Sequence, residues 1–309
     1  MALLFSSTVD SAARWLSELA RLRPELEVRA WPEIGDPAQI DYALVWRPEP
    51  GLLASLSNLK LILSLGAGVD HVLKDPQLPR DIPIVRLVDP YLIDAMSEYV
   101  TLQVLRLHRQ DLDYRAQQDA EVWRELPQKN AGERPVGILG FGEIGQDAGR
   151  KLAALGFPVS GWNRSKRTLP GFTTYAGPDG LSQLLRPTEI LVCLLPLTPE
   201  TEGILCARTF AELPHGAGLV NAGRGAHLVE EDLIPALATG QLSAAALDVF
   251  REEPLPPGHP FWHHPRILVT PHIAGVTNPA TAARVILENI RRYEQSEPLL
   301  NQVDPARGY

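Results

Sequence analysis

The hydrophobic residues of the chain fall into short apolar runs that alternate with stretches of helical spacing. In the N-terminal part, the runs that predict β-strands are Ala2–Ser6, Val28–Trp31, Ala43–Trp46, Leu59–Leu65 and Ile82–Leu87. Segments with helical spacing lie between them, at Ser11–Leu22, Gly51–Leu56 and Val69–Lys74. Strands that alternate with helices need crossover connections, so this part of the chain predicts a mostly parallel sheet.

A longer helix is predicted over Ile93–Arg109, and a second alternating series begins after it. The polar segment Gln110–Pro135 separates the two, with weak periodicity and scattered aromatic residues. The second series has strand-like runs at Val136–Leu139, Val159–Trp162, Ile190–Leu195, Ala217–Asn221, Ala244–Val249 and Ile267–Val269, and a final helix at Pro279–Glu294. Because the alternation restarts, the pattern predicts two α/β domains.

The composition is that of an ordinary globular protein, and the net charge disfavours some classes of binding partner. The chain has 309 residues, 45% of them hydrophobic and 21% charged, which is enough for two domains with sizeable cores. A net charge of −8 disfavours binding to nucleic acid or to an anionic membrane. Two cysteines exclude a disulfide framework, and no apolar stretch is long enough to span a bilayer. The N-terminus has no basic signal-peptide region, so we expect a cytoplasmic protein.

A glycine-rich sequence follows the strand-like run Val136–Leu139 and opens a helical stretch. The residues Gly140-Phe141-Gly142-Glu143-Ile144-Gly145 have the pattern GxGxxG. The first glycine permits a tight turn, the second lets the backbone approach a pyrophosphate, and the third allows close packing of helix and strand. The helix N-terminus also favours a phosphate. This context predicts dinucleotide binding, with a glycine-rich turn that binds no ligand as the alternative.

The residues after the next strand predict which dinucleotide binds. A site that prefers NAD places Asp or Glu about 20 residues beyond the loop, where it holds the ribose 2′-hydroxyl. Here the strand Val159–Trp162 is followed by Asn163-Arg164-Ser165-Lys166, and no acidic residue occurs between Asp147 and Asp179. Arg164 can bind a 2′-phosphate through forked, charge-assisted hydrogen bonds. We therefore expect NADP(H) to be preferred over NAD(H), with a solvated basic loop as the alternative interpretation.

Charged residues follow three further predicted strands, at the strand ends where open α/β sheets bind their ligands. They are Arg224, the acidic residues Asp248, Glu252 and Glu253, and His272. An arginine can pair with the carboxylate of a 2-oxo acid, and a histidine can exchange a proton with its carbonyl oxygen. A carboxylate can hold that histidine in place. Taken singly, each of these residues could equally be a polar group at a strand end.

The segments together resemble the D-isomer-specific 2-hydroxyacid dehydrogenases over essentially the whole chain. LGAGVDHV, ILGFGEIGQDAGRKLAALGF, LLPLTPET, VNAGRG, ALDVFREEPLP and TPHIAGVT occur in the family's order and spacing. Narrower similarity to a subgroup that reduces small 2-oxo acids is carried by DYALVWRPEP, SLGAGVD, the Trp-x-Arg-Ser pattern and the ending QVDPARGY. The resemblance implies two doubly wound parallel-sheet domains, a Rossmann NADP-binding domain at 98–277 and a discontinuous flavodoxin-like substrate domain at 1–97 and 278–309.

The resemblance also implies roles for individual residues. Arg224 would bind the substrate carboxylate and carbonyl, His272 would donate the proton, and Glu253 would be its partner. The backbone N–H groups of Leu65, Gly66, Ala67 and Gly68 would bind the substrate carboxylate, and Trp46 would shape the pocket unless it belongs to the core. The residues expected to line the dinucleotide are Leu195, Pro196, Asn221, Ala222 and Asp248, with a structural role as the alternative for Asp248.

These roles imply NADPH-dependent reduction of glyoxylate to glycolate and of hydroxypyruvate to D-glycerate. A homodimer is implied as well, formed in part through the segment Gln110–Pro135. Two alternatives stay open: an NADP-linked reductase of a larger 2-oxo acid, and a dinucleotide-sensing binding protein of the corepressor type. We expect no metal site, because prolines around His259, His263 and His264 argue against a helix that would align these histidines.

Overall fold

The computed structural model describes residues 1–304 and Gly308, and it divides the chain into two compact units. Unit 1 comprises Met1–Leu92 and Thr277–Tyr309, and unit 2 comprises Ile93–Val276. The structure divides the units between Leu92 and Ile93, and the resemblance implies a boundary between residues 97 and 98. Both positions lie in the helix Pro90–His108. The assignment of substrate and cofactor to separate units stays a prediction. Residues 305–307 and 309, which belong to the motif QVDPARGY, lie outside the described residues.

The strands and helices alternate along both units. In the described residues, the strands are β1 (Ala2–Ser7), β2 (Glu27–Ala30), β3 (Ile40–Trp46), β4 (Leu61–Ser64), β5 (Ile84–Val85), β6 (Val136–Leu139), β7 (Val159–Asn163), β8 (Thr173–Ala176), β9 (Ile190–Cys193), β10 (Ala217–Asn221), β11 (Leu242–Leu247) and β12 (Ile267–Val269). The helices are α1 (Ala12–Leu22), α2 (Asp70–Leu73), α3 (Pro90–His108), α4 (Asp111–Asp119), α5 (Glu143–Ala154), α6 (Gly177–Leu185), α7 (Ala207–Glu212), α8 (Glu230–Ala238) and α9 (Pro279–Glu294).

Unit 1 is built on a parallel sheet with the strand order β2-β1-β3-β4-β5. The strands β1, β3 and β4 are buried along almost their whole length. Burial on both faces explains why these strands read as continuous apolar runs instead of alternating ones. Helix α9 belongs to this unit because its buried Ile286 and Ile290 pack in one core cluster with Trp15 and Leu19 of α1.

Unit 2 is built on a second parallel sheet, with the order β12-β11-β10-β9-β6-β7-β8. The direction of strand addition reverses between β6 and β9, and in unit 1 it reverses between β1 and β3. Ligands of doubly wound sheets bind beyond the carboxyl ends of the strands at such reversals. The prediction of two doubly wound parallel-sheet domains is confirmed. No helix in the described part of the chain is long and apolar enough to cross a membrane.

Strand β8 and helix α4 are among the elements that the apolar pattern does not predict. Strand β8 lies at the edge of its sheet, and its residues are exposed or partly exposed, so no apolar run marks it. Helix α4 buries none of its residues, so its sequence lacks the periodicity of a helix that packs on a core. An apolar pattern marks elements that bury their side chains, so it does not predict exposed elements such as these.

Candidate active site

The glycine loop lies between β6 and α5, and close contacts explain two of its glycines. Gly140 has a φ of 91°, and a Cβ there would lie 2.6 Å from the carbonyl oxygen of Leu194. A Cβ at Gly145 would collide with the carbonyl oxygen of Gly140, so α5 begins against the strand end. At Gly142 a Cβ would meet no atom within 4 Å. The loop is therefore tight at its ends and open in its middle.

The side chains within the loop point in different directions. The Phe141 ring is fully buried and packs edge-on against Phe172, with the ring centroids 5.0 Å apart. Glu143 is exposed in the first turn of α5, and Ile144 is partly exposed. Because the Phe141 side chain belongs to the core, only its backbone can contribute to a nucleotide site.

A basic segment follows β7, next to the glycine loop. Asn163 occupies the strand end, and its Nδ2 donates to the carbonyl oxygen of Phe141 over 3.4 Å. Arg164, Ser165 and Lys166 are exposed. Hydrogen bonds from Thr198 and from its own backbone, together with the charge of Arg164, lower the pKa of the Glu200 carboxyl group. Glu200 is therefore near Arg164, a proximity that the spacing of the two residues in the sequence does not reveal.

His272 and Glu253 form a direct pair in unit 2. The Nδ1 of His272 lies 2.8 Å from Oε2 of Glu253, and the carboxylate can only accept, so Nδ1 carries the proton. The other carboxylate oxygen, Oε1, accepts from the backbone N–H of Phe250 over 3.0 Å. Two partners thus fix Glu253, and Glu253 fixes the imidazole with Nε2 on the opposite side of the ring.

A buried carboxylate holds the turn that carries His272. Asp248 is 1% exposed, and burial raises the pKa of its carboxyl group. Its Oδ1 accepts from the hydroxyl of Thr270 over 2.6 Å and from the N–H of Ile273 over 2.9 Å, and its Oδ2 accepts from the N–H of Ala274 over 2.8 Å. His272 itself has a φ of 54°. These bonds hold His272 in the left-handed region, which a residue with a Cβ rarely adopts.

Thr270 extends this network to helix α3. The hydroxyl of Tyr99 lies 2.7 Å from Oγ1 of Thr270. Because Thr270 gives its only proton to Asp248, Tyr99 is the donor. Neither residue was singled out from the sequence. The position of Thr270, two residues before His272 at a strand end, is the signal that could have identified it.

Arg224 lies in a turn after β10 that several contacts hold in place. Its N–H donates to Nδ1 of the fully buried His227 over 3.0 Å, and its carbonyl oxygen accepts from Nδ2 of Asn221 over 3.1 Å. The Nε2 of His227 lies 3.3 Å from the carbonyl oxygen of Pro196. His227 therefore links this turn to the segment after β9. Like Tyr99 and Thr270, it was not singled out from the sequence, although its place three residues after Arg224 was an available signal.

Small residues bring the strand-end segments of unit 2 together. Ala222 and Ala274 are buried in one cluster with Tyr99, and Leu194 packs against it. A Cβ on Gly225 would collide with the backbone of Phe250, so the turns after β10 and β11 are in contact. The segments that carry Arg224, Glu253 and His272 are thus packed on one another, and Leu195 is buried beside them.

In unit 1, some backbone N–H groups of the predicted substrate loop, Leu65–Gly68, already donate hydrogen bonds within the unit. The N–H of Leu65 donates to the carbonyl oxygen of Val45 over 3.0 Å, and that of Gly66 donates to Oγ of Ser64 over 3.2 Å. Within the described residues, the N–H groups of Ala67 and Gly68 have no acceptor, and both residues are partly exposed. A Cβ on Gly66 would lie 2.5 Å from Cζ3 of Trp46, so the indole packs directly on the loop.

Comparisons with known proteins identify the family of the chain. Residues 101–274 match the family model described as D-isomer specific 2-hydroxyacid dehydrogenase, NAD binding domain. A relative from Serratia proteamaculans named Glyoxylate/hydroxypyruvate reductase A is 43% identical over 314 residues, covering 100% of both chains. A relative of the same name from Yersinia enterocolitica is 42% identical over 100% of both chains.

Solved structures give the same result. A D-isomer specific 2-hydroxyacid dehydrogenase from Xanthobacter autotrophicus, in complex with NADPH and MES, superposes with a TM-score of 0.95 at 44% identity. An NADPH-dependent glyoxylate/hydroxypyruvate reductase from Sinorhizobium meliloti, in complex with NADP and sulfate, superposes with a TM-score of 0.94 at 42% identity. Each match covers 100% of this chain and 99% of the other. The resemblance inferred from the sequence is confirmed: the chain belongs to the D-isomer specific 2-hydroxyacid dehydrogenase family.

Proposed function

We propose that the protein is an NADPH-dependent reductase of small 2-oxo acids, which converts glyoxylate to glycolate and hydroxypyruvate to D-glycerate by hydride transfer. The observation that carries the proposal is the His272–Glu253 pair, with 2.8 Å between Nδ1 and Oε2. A histidine held in this way can give the proton on Nε2 to a carbonyl oxygen. The relatives named as glyoxylate/hydroxypyruvate reductases support the choice of substrates.

The residues around the glycine loop fit a phosphorylated dinucleotide. The open space at Gly142 leaves room for a pyrophosphate, and Asn163 stands where a site that prefers NAD has an acid. Arg164 is exposed beside it, with Ser165 and Lys166. We therefore expect NADP(H) to bind here in preference to NAD(H), lined also by Leu195, Pro196, Asn221 and Ala222. When bound, the reduced nicotinamide would supply the hydride.

The charged side chains of unit 2 would orient the substrate and supply the proton. The guanidinium of Arg224 can form two parallel hydrogen bonds with a carboxylate, and the contacts to His227 and Asn221 fix the backbone that carries it. Glu253 compensates the positive charge of a protonated His272 and keeps Nδ1 engaged, so the proton leaves from Nε2. Well-placed proton transfer contributes about 10²- to 10⁴-fold to a rate.

Within the predicted Leu65–Gly68 loop, the backbone N–H groups of the last two residues are better suited to bind an anion than those of the first two. The N–H groups of Leu65 and Gly66 already donate within unit 1, whereas those of Ala67 and Gly68 have no acceptor among the residues described. Adjacent backbone N–H groups that share no internal acceptor favour a negatively charged ligand. We expect Ala67 and Gly68 to be the members of this loop that bind a substrate carboxylate.

The first experiment measures the loss of the near-ultraviolet absorbance of NADPH or NADH with glyoxylate, hydroxypyruvate, pyruvate and phenylpyruvate. Rapid NADPH oxidation with glyoxylate and with hydroxypyruvate is the expected result. Activity only with phenylpyruvate would reassign the protein to larger 2-oxo acids. Tight NADPH binding without turnover of any substrate would contradict the proposal and favour the dinucleotide-sensing alternative.

The role of His272 is tested separately by His272→Ala. Turnover of glyoxylate should fall by about 10²- to 10⁴-fold, because the proton donor is lost. The Kd for NADPH, measured by fluorescence titration, should not change. Glu253→Gln keeps the size of the partner but removes its charge, so it should also lower turnover. Unchanged turnover in His272→Ala, or loss of cofactor binding alone, would contradict this assignment.

A further inference from the structure

His71 links two segments of unit 1 that are distant in the sequence. It lies in α2, just after the Leu65–Gly68 loop. Its Nδ1 accepts from the backbone N–H of Arg47 over 3.2 Å, and its Nε2 lies 3.3 Å from Oγ of Ser64. Its ring also packs against Trp46, with the ring centroids 4.3 Å apart. One side chain thus contacts the turn after β3 and the end of β4.

The partners of His71 determine the direction of these hydrogen bonds. The N–H of Arg47 can only donate, so Nδ1 is the acceptor and Nε2 carries the proton of the neutral ring. Nε2 then donates to the fully buried Ser64 hydroxyl, which also accepts from the N–H of Gly66. The proton of Ser64 goes to the carbonyl oxygen of Gly68 over 3.3 Å. A continuous chain of hydrogen bonds therefore runs from Arg47 to the loop.

Two local features show why the Trp46–Arg47 turn and the Leu65–Gly68 loop need the hydrogen bonds of His71. Arg47 has a φ of 49°, a left-handed conformation that a non-glycine residue adopts only when its surroundings hold it there. Gly66 leaves the space that the Trp46 ring fills, since a Cβ there would collide with the ring. The turn at Trp46 and the loop at Gly66 are thus in contact, and His71 bonds to both.

We propose that His71 is a positioning residue, which fixes the Trp46–Arg47 turn and the Leu65–Gly68 loop in one arrangement and so sets the affinity of the enzyme for the substrate carboxylate. This inference rests on the function proposed above. Because Ser64 bonds to both Gly66 and Gly68, loss of the His71 contact leaves the N–H groups of Ala67 and Gly68 less well aligned. The effect falls on substrate binding and leaves proton transfer at His272 intact.

The test uses three substitutions that separate the contacts of His71. His71→Phe keeps a ring against Trp46 but removes both hydrogen bonds. His71→Asn keeps an acceptor near the position of Nδ1, and His71→Gln keeps a donor near the position of Nε2. We expect the loss of both hydrogen bonds in His71→Phe to raise the KM for glyoxylate roughly three- to tenfold, the order of magnitude of net hydrogen-bond contributions, with kcat within about twofold of the wild type. His71→Gln should restore most of the wild-type KM because it keeps a donor to Ser64, whereas His71→Asn, which keeps only the acceptor for Arg47, should restore less. An unchanged KM in His71→Phe, or a loss confined to kcat, would overturn the inference.

A matched control and a second readout complete the design. His215→Phe changes an exposed histidine of unit 2 and should leave the KM unaltered. Amide hydrogen exchange, followed by mass spectrometry, should be faster in His71→Phe for peptides that contain Arg47 and Gly66, and normal in unit 2. Exchange does not require turnover, so it tests the positioning role even if the wild type reduces none of the 2-oxo acids. Unchanged exchange in these peptides would refute the role of His71, whereas an inactive wild type would refute the proposed function.

Discussion

At the scale of single residues, the buried carboxyl group of Asp248 supports the backbone around His272, the residue that we propose as the proton donor. Its carboxylate accepts three hydrogen bonds from Thr270, Ile273 and Ala274, which surround His272. A left-handed residue other than glycine costs on the order of 1–3 kcal/mol. The bonds to Asp248 offset that cost. The expectation that Asp248 contacts the cofactor stays a prediction, and the alternative, structural role accounts for the contacts seen here.

Thr270→Val should destabilise the protein because it removes the hydroxyl between Tyr99 and Asp248 at nearly constant volume. We expect the free energy of unfolding to fall by about 1–3 kcal/mol, since two buried polar groups lose a partner. Urea denaturation followed by circular dichroism measures this change. Thr270→Ser keeps the hydroxyl and is the control. Equal stability of the two variants would mean that the hydroxyl contributes nothing to the turn.

Arg164 is the residue that should decide between the two dinucleotides. Arg164→Ala is expected to raise the KM for NADPH by about ten- to hundredfold, the range for lost charge-assisted hydrogen bonds, and to change the KM for NADH far less. Steady-state kinetics with each cofactor measures both values. Arg208→Ala, at an exposed arginine in α7, is the control. Equal effects on the two cofactors would argue against a role in phosphate binding.

At the scale of elements, the glycines in the connection from β6 to α5 have different roles. Gly145 lets the helix start against the strand, because a Cβ there would collide with the carbonyl oxygen of Gly140. Gly142 has a φ of −84°, which other residues also adopt, and space around it. Gly145 is therefore needed for folding, and we expect Gly142 to be needed only for binding of the dinucleotide.

Gly142→Ala and Gly145→Ala form a matched pair that tests this difference. Gly145→Ala should lower the free energy of unfolding by about 1–3 kcal/mol, as overpacking does. Gly142→Ala should keep the wild-type Tm but raise the Kd for NADPH roughly tenfold or more, because the new methyl group occupies the space for the pyrophosphate. Thermal denaturation and fluorescence titration measure the two effects. A stable Gly145→Ala protein, or a Gly142→Ala protein with normal NADPH affinity, would contradict the respective assignment.

At the scale of the whole molecule, each sheet brings strand-end residues together through its own topology. In unit 2, the parallel strands β10, β11 and β12 are neighbours, so the segments that follow them share one edge of the sheet. Those segments carry Arg224, Glu253 and His272. In unit 1, β3 and β4 are neighbours, which brings the turn at Trp46 beside the loop at Gly66.

The oligomeric state stays a prediction, and the segment after α4 offers a way to test it. Trp123 is 100% exposed and Val122 is 47% exposed, an unusual situation for two large apolar residues in sequence. If this segment forms the expected homodimer, light scattering after gel filtration should give a dimer for the wild type. Trp123→Ser should give a monomer at the same concentration. Trp262→Ser, at another exposed tryptophan, should remain dimeric. A monomeric wild type would contradict the prediction.

The sequence by itself determined the features that are local in the chain. Apolar runs marked the buried strands of both sheets, and the flanked GxGxxG pattern marked the loop from Gly140 to Gly145. The order and spacing of the family motifs, from the glycine loop to TPHIAGVT, identified the family. The strands and the glycine loop are encoded by neighbouring residues, because strand burial, tight turns and helix starts depend on local spacing. The family is recognised from the order of its motifs along the chain.

Only the tertiary structure decided how the candidate site is supported. Tyr99 and Thr270 meet because α3 passes beside the end of β12, and His71 meets Arg47 because β3 and β4 are adjacent. The sequence also could not show that the Phe141 side chain belongs to the core, or that the N–H groups of Leu65 and Gly66 are already engaged. The physical reason is common to all of these cases: a hydrogen bond or ring contact needs two groups within a few ångströms, and for residues far apart in the chain the path of the folded backbone alone sets that distance.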